Sequence, residues 1–104
     1  DFVPTCTELL GVETPEGLHG RSLVPILRDP TATVREAALS IHMRPGGGIR
    51  APDWHYMKYG EKGEELYDMG KDPHQYTNVL DDPAYAETLR EARAIFERRM
   101  AAAR

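Results

Sequence analysis

The chain has 104 residues, a formal net charge of −4 and 40% hydrophobic residues, a composition typical of a globular domain. The acidic balance argues against sequence-independent nucleic-acid binding and against attachment to anionic membranes, because both need a basic surface. No apolar run approaches the roughly 20 residues of a membrane span, and the single cysteine excludes an internal disulfide and a cysteine-based zinc site.

The first third of the chain predicts two short helices joined by a loop. Residues 1–10 (DFVPTCTELL) place apolar side chains on one helical face, with Asp1 as a candidate N-cap and Gly11 as the C-terminal stop. Residues 22–28 (SLVPILR) predict the second helix. Neither helix is long enough to be stable without a partner surface, so we expect both to dock on a larger body.

The middle of the chain alternates in the manner of β-strands. The run 54–59 (WHYMKY) is the clearest candidate, and a short turn joins it to an antiparallel partner, 64–68 (EELYD). Two further candidates precede it, 36–43 and 49–51, and the glycine-rich stretch between them predicts a flexible connection. We expect Trp54, Tyr56 and Tyr67 in the core rather than on a stacking platform for sugars or bases, and Lys58 paired with Glu65 across the hairpin.

The last 24 residues, 81–104, predict a long helix that begins with Asp82 as cap and Pro83 in its first turn. Its apolar stripe consists of Tyr85, Leu89, Ala92, Phe96 and Met100. The economical packing is an α+β fold, in which this helix covers one face of a small antiparallel sheet of three to four strands.

Four segments together resemble the C-terminal portion of the sulfatase family, within the alkaline-phosphatase-like superfamily. They are DFVPT with LLG (1–11), GLHGRSL (17–23), YMK with ELYD (56–68) and KDPHQYTN (71–78). The resemblance implies that residues 1–35 are the end of a large α/β domain and its crossover. It implies that residues 36–104 are the C-terminal subdomain, an antiparallel sheet packed on a long helix.

The resemblance also implies hydrolysis of a sulfate ester by a formylglycine, made from Cys or Ser in a C/S-x-P-x-R motif, with calcium held by Asp and Asn. Cys6, Ser22 and Ser40 all lack the proline two positions on. We therefore expect no nucleophile and no metal ligand in this chain. Formylglycine and calcium are expected in a preceding N-terminal domain, which would be the partner of this chain. A fragment of this kind is predicted to be inactive alone.

Three side chains around the glycine run are the candidate substrate-binding residues: His42, Arg44 and Arg50. Glycine amides beside guanidinium groups can hold a sulfate or a carboxylate. The other interpretation is a loop with solvated arginines and a surface histidine. His55 is interpreted as a packed or half-exposed strand residue.

Two other assignments remain open at the level of sequence. A phosphodiesterase or phosphonate monoester hydrolase of the same superfamily carries a similar C-terminal region, and only the absent nucleophile and metal ligands separate it from a sulfatase. A free-standing interaction module would instead dimerise through residues 1–28.

Overall fold

The computed structural model describes residues 1–42 and 46–103, and the chain divides into two compact units, Asp1–Glu36 and Ala37–Arg104. The first unit contains α1 (Phe2–Leu10) and α2 (Val24–Arg28). Gly11 ends α1 in the left-handed conformation, with φ 67°, as its position in the sequence predicted.

Asp1 joins three segments of the first unit. It stands at the N-cap position of α1, but its carboxylate makes no capping hydrogen bond to that helix. Its Oδ1 instead accepts from the backbone N–H of Arg21 at 2.8 Å and from the guanidinium of Arg35. Arg21 in turn donates from Nη1 to the carbonyl oxygen of Val34 at 2.7 Å. The carboxylate therefore holds the loop between the helices and the segment after α2 at the start of α1.

Several large apolar side chains of the first unit are exposed. Phe2 is 81% exposed and Leu10 is 75% exposed, at opposite ends of α1. The other exposed apolar residues of this unit are Val3, Leu9, Val12, Leu18 and Leu27. Isolated exposed apolar residues are ordinary, but a group of this size on a short segment is typical of a docking surface.

The second unit is a four-stranded antiparallel sheet with the long helix α3 packed on it, which confirms the predicted α+β fold. The strands follow one another in the order β1-β2-β3-β4. Their bounds are β1 Ala38–Ile41, β2 Gly46–Arg50, β3 Trp54–Tyr59 and β4 Glu64–Asp68, and α3 spans Ala86–Ala102.

Gly46, Gly47 and Gly48 belong to β2, so the interpretation of this stretch as a flexible connection was wrong. They pair with the last three residues of β3, and all three are buried. A Cβ on Gly47 would lie 2.8 Å from the carbonyl oxygen of Ser40 and 3.4 Å from the ring of Phe96. Glycine forms strand here because the neighbouring strand and α3 leave no space for a side chain.

The core of the second unit lies between the sheet and α3. Tyr56 is fully buried and meets the ring of Phe96 edge-on, with the ring centroids 5.4 Å apart at 76°. Trp54 is also buried, which confirms the core prediction for these two aromatic residues. The prediction was wrong for Tyr67, which is half-buried on the face of the sheet away from α3 and lies outside this core.

Lys58 pairs with Glu97 of α3 at 2.6 Å, and the predicted Lys58–Glu65 pair is wrong. In the register of the hairpin Lys58 lies opposite Glu64, whereas Glu65 lies opposite Met57. Since successive side chains alternate between faces, Lys58 faces the helix and Glu65 faces away from it.

Asp68, at the end of β4, organises the turn that follows. Its Oδ1 accepts from the backbone N–H groups of Gly70 at 3.0 Å and Lys71 at 2.9 Å, and its Oδ2 accepts from the hydroxyl of Tyr85 at 2.7 Å. These bonds hold the pKa of Asp68 below its usual value, and the hydrogen bond from Tyr85 makes the largest contribution.

Asn78 fastens the end of the same loop to the sheet. Its Oδ1 accepts from the backbone N–H groups of Leu66 and Leu80, each at 3.0 Å. Between the two ends, Oδ2 of Asp72 accepts from the N–H of Thr77 at 2.8 Å. The polar residues of this segment therefore bond to the backbone and shape the loop.

The long helix begins later than the sequence predicted. Asp82 accepts from the N–H of Ala84 at 2.9 Å and caps a 3-10 turn, Pro83–Tyr85, and α3 starts at Ala86. The buried positions of the helix are Ala92, Ile95, Phe96 and Met100.

We predict that Gly47→Ala destabilises the fold by about 1–3 kcal/mol, because its Cβ collides with a backbone oxygen that cannot move without separating β1 from β2. The matched control is Gly48→Ala. Its Cβ would lie 3.2 Å from Cγ of the flexible Met57 side chain, so a smaller loss is expected. Urea unfolding of both variants measures the difference, and equal losses would contradict the argument.

We predict that stability falls as the pH drops below about 4, with Asp68 as one cause. The pKa of Asp68 is lower in the folded state than in the unfolded state, so its contribution is complete above the unfolded pKa. That contribution is lost as the pH falls through the folded pKa. Asp68→Asn removes this titration, and its melting temperature should depend less on pH in that window. Parallel curves for the variant and the parent would refute the role of Asp68.

Candidate functional site

The face of the sheet opposite α3 carries a hollow of about 190 Å³. It lies over Gly48 of β2, which pairs with Ser40 on one side and Met57 on the other. The residues around it are Ser40, His42, Gly47, Gly48, His55, Met57 and Tyr59. A side chain on Gly48 would occupy this space, so the hollow exists because that position is glycine.

The structure describes two of the three predicted substrate-binding residues, and only one of these lines the hollow. His42 is exposed at the end of β1 and lines the hollow, and its N–H donates to the carbonyl oxygen of Gly46 at 3.3 Å. Arg44 lies outside the described residues. Arg50 is not among the lining residues of the hollow.

Arg50 is bound to the turn that follows its own strand. Its Nη1 donates to the carbonyl oxygens of Pro52 at 3.0 Å and Trp54 at 3.3 Å, and to that of Ala51. These contacts all involve Nη1 and hold the side chain against the turn, so they are contacts of a structural residue.

His55 was not predicted as a site residue, yet it is half-buried and lines the hollow beside Gly48. Its Nδ1 lies 2.7 Å from Oε1 of Gln75. The alternation of β3 indicated that His55 shares a face with Met57 and Tyr59. The sequence carries no signal that Gln75, 20 positions away, reaches back to its ring.

Two tyrosines at the edge of this face share one carboxylate. Oε2 of Glu65 accepts from the hydroxyl of Tyr67 at 3.0 Å and from that of Tyr59 at 3.5 Å. Burial and the adjacent Glu65 raise the pKa of both tyrosines, so both hydroxyls stay protonated at neutral pH. Their protons point to Glu65, which leaves the aromatic ring of Tyr59 as its contribution to the hollow.

Residues 1–42 and 46–103 contain no group of three or more His, Cys, Asp or Glu side chains placed to hold a metal ion. Cys6 is half-buried on α1 and has no C/S-x-P-x-R context, and Asp82 is a capping residue. The side chains present therefore do not fit a calcium site or a formylglycine. Within the same residues, no helix has the length and apolar character needed to cross a bilayer.

Comparison with known families gives a match over nearly the whole chain. Residues 1–101 match the family described as N-sulphoglucosamine sulphohydrolase, C-terminal. A solved structure of a protein in complex with its substrate, D-glucosamine-2-N,6-O-disulfate, superposes with a TM-score of 0.85 and 29% identity. The match covers 98% of this chain and 23% of that one.

Curated relatives agree with this match. A Δ4,5-hexuronate-2-O-sulfatase of Bacteroides thetaiotaomicron is 35% identical, over 93% of this chain and 22% of the relative. A multifunctional alkaline phosphatase superfamily protein of Trinickia caryophylli is 28% identical, over 88% of this chain and 22% of the relative. The chain thus spans less than a quarter of the length of these proteins. It belongs to the N-sulphoglucosamine sulphohydrolase C-terminal family and corresponds to the C-terminal portion of a sulfatase.

Proposed function

We propose that the parent of this chain is a carbohydrate sulfatase, which hydrolyses a sulfate ester or sulfamate on an amino sugar or a uronate. The family match over residues 1–101 carries the proposal. The similar hexuronate sulfatase and the similar structure in complex with a disulfated glucosamine support the substrate class. In this proposal residues 1–35 end the large catalytic domain and residues 36–104 form the C-terminal subdomain.

The catalytic groups would lie in the part of the parent that precedes this region. A formylglycine supplies the nucleophile in such an enzyme, and a calcium ion polarises the sulfate. Neither fits the side chains of residues 1–42 and 46–103. The contribution of this chain is then to support the large domain and to form part of the substrate pocket. We retain His42, Arg44 and Arg50 as proposed substrate contacts. His42 has the best support, because it borders the hollow.

The exposed apolar side chains of residues 1–28 support a docked position for this segment. Phe2 and Leu10 are largely exposed, and burying them against a large domain would stabilise the parent by about 1.5–3 kcal/mol for each side chain. The same surface is available to the alternative, a free-standing module that dimerises through residues 1–28. The small share of the relatives that this chain spans favours the large domain as the occupant.

A second candidate is a phosphodiesterase or phosphonate monoester hydrolase. The multifunctional alkaline phosphatase superfamily relative favours it, since that protein matches 88% of this chain at 28% identity. The two candidates differ in the atom that is attacked in the substrate, which is sulfur for a sulfatase and phosphorus for a phosphodiesterase or phosphonate monoester hydrolase. Assay of both ester classes on one preparation separates them.

We expect the protein encoded by the complete reading frame around this chain to release sulfate from 6-sulfated or N-sulfated glucosamine, or from a 2-sulfated unsaturated uronate. Sulfate is measured by ion chromatography, and a calcium chelator should abolish its release. The 104 residues alone should release none. That reading frame should also contain a C/S-x-P-x-R motif.

The outcomes of this assay are distinct. Hydrolysis of phosphate diesters or phosphonate monoesters without any sulfate release would favour the second candidate. A reading frame that starts within a few residues of Asp1 would refute both enzymes and leave the interaction module.

We expect the isolated chain to self-associate through the apolar side chains of α1. The double variant Phe2→Ser, Leu10→Ser should be more monodisperse in light scattering than the unmodified chain, but it should lower the melting temperature of the intact parent. The matched control is Tyr76→Ser, which removes an 85% exposed aromatic side chain from the second unit and should change neither measurement. An unmodified chain that forms only a discrete dimer, lost in the double variant, would instead favour the interaction module.

A further inference from the structure

Gln75 holds an unusual backbone conformation next to the hollow. Its φ is +59°, in the left-handed region that residues other than glycine adopt at a cost. The backbone N–H of Gln75 donates to the carbonyl oxygen of Asp72 at 3.0 Å, and the carboxylate of Asp72 accepts from the N–H of Thr77. The loop therefore forces this conformation on Gln75, and a glycine would satisfy the backbone with less strain.

The side chain of Gln75 explains why a glutamine occupies this position. Its Oε1 lies 2.7 Å from Nδ1 of His55, and an amide oxygen only accepts hydrogen bonds. With the amide in this orientation, the neutral imidazole carries its proton on Nδ1 and a lone pair on Nε2. Gln75 thus determines both the ring orientation and the tautomer of His55.

The Nε2 atom of His55 faces the floor of the hollow. A Cβ built on Gly48 would lie 3.3 Å from this nitrogen, so a side chain at this position would be in contact with it. Tyr59 also borders the hollow, but its hydroxyl proton points to Glu65, and the sulfur of Met57 lies 3.4 Å from the same hydroxyl. His55 therefore presents an oriented hydrogen-bond acceptor into the hollow, whose other side chains are the polar Ser40 and His42, the thioether of Met57 and the ring of Tyr59.

The size and lining of the hollow fit part of a sugar. Its volume of about 190 Å³ is below the roughly 300–1,000 Å³ of pockets that enclose a whole ligand, so it accommodates one ring or part of one. The C–H face of a pyranose suits Met57 and Tyr59, while a ring hydroxyl or amine suits the acceptor nitrogen of His55. A bare sulfate does not suit Nε2 of His55, because it offers no proton to that nitrogen.

We propose that His55 binds the sugar of the substrate through Nε2, with Gln75 as the positioning residue that holds its tautomer and Gly48 as the residue that leaves room for the ring. This assignment rests on the proposed carbohydrate sulfatase function and adds a recognition contact to it. The contact concerns the sugar and not the sulfate, so it affects substrate recognition more than the chemical step.

The test compares two substrates in the intact parent protein. His55→Leu and Gly48→Ala should each raise KM for the sulfated monosaccharide roughly three- to tenfold, the factor associated with one hydrogen bond, while kcat changes little. Neither variant should change KM for a small aryl sulfate that lacks the sugar. The matched control is His74→Leu, which changes an exposed histidine in the loop that carries Gln75. This variant should leave KM unchanged for both substrates.

Variants of Gln75 test its positioning role. Gln75→Gly accepts the positive φ but removes the amide, and it should raise KM as His55→Leu does. Gln75→Glu keeps an acceptor oxygen and should retain most of the sugar affinity. The ¹⁵N spectrum of His55 reports which ring nitrogen carries the proton. A purely structural role of Gln75 would not change this position. The proton should be on Nδ1 in the parent and in Gln75→Glu, and it should shift towards Nε2 in Gln75→Gly.

The failures are distinguishable. A parent that hydrolyses no sulfate ester refutes the proposed function and this contact with it. An active parent whose KM for the sugar is unchanged in folded His55→Leu and Gly48→Ala refutes the contact alone. A neutral His55 protonated on Nε2 in the parent also refutes it, whatever the kinetics. Thermal melting of each variant confirms that a kinetic change does not come from unfolding.

Discussion

The contact of Phe96 with the sheet is the constraint on which the second unit depends. Its ring lies edge-on to Tyr56 and faces the backbone of Gly47, where a Cβ would be 3.4 Å away. This contact can form only if β2 has no side chain at that point, because a side chain would have to displace either the aromatic ring or β1. The helix α3 therefore covers one face of the sheet, and the hollow lies on the other face.

The two faces of β2 use consecutive glycines for opposite purposes. Gly47 faces α3 and allows close packing, whereas Gly48 faces the other way and leaves the hollow. The pleat makes this division unavoidable, since neighbouring residues of a strand point to opposite sides. One glycine therefore serves stability and the next leaves space for a ligand.

The polar residues of the loop after β4 are mainly architectural. Asp68, Asp72 and Asn78 each accept hydrogen bonds from backbone N–H groups. Such bonds replace the ladder that a loop lacks, and they set the path of the chain between the sheet and α3. Gln75 differs, because its side chain bonds to His55 and its backbone conformation is strained. Within one segment, the motif that identifies the family thus builds the support for a residue at the hollow.

The sequence by itself determined the hairpin of β3 and β4, the stop of α1 at Gly11, the long helix and the family, because alternation, helical periodicity, turn residues and ordered motifs are local signals. It also established that Cys6, Ser22 and Ser40 lack the nucleophile motif. Only the tertiary structure decided that Gly46–Gly48 form a strand, that Lys58 pairs with Glu97, and that Gln75 orients His55. The contacts of Lys58 with Glu97 and of His55 with Gln75 join residues far apart in the chain, and no local pattern records which residues meet in a packed structure.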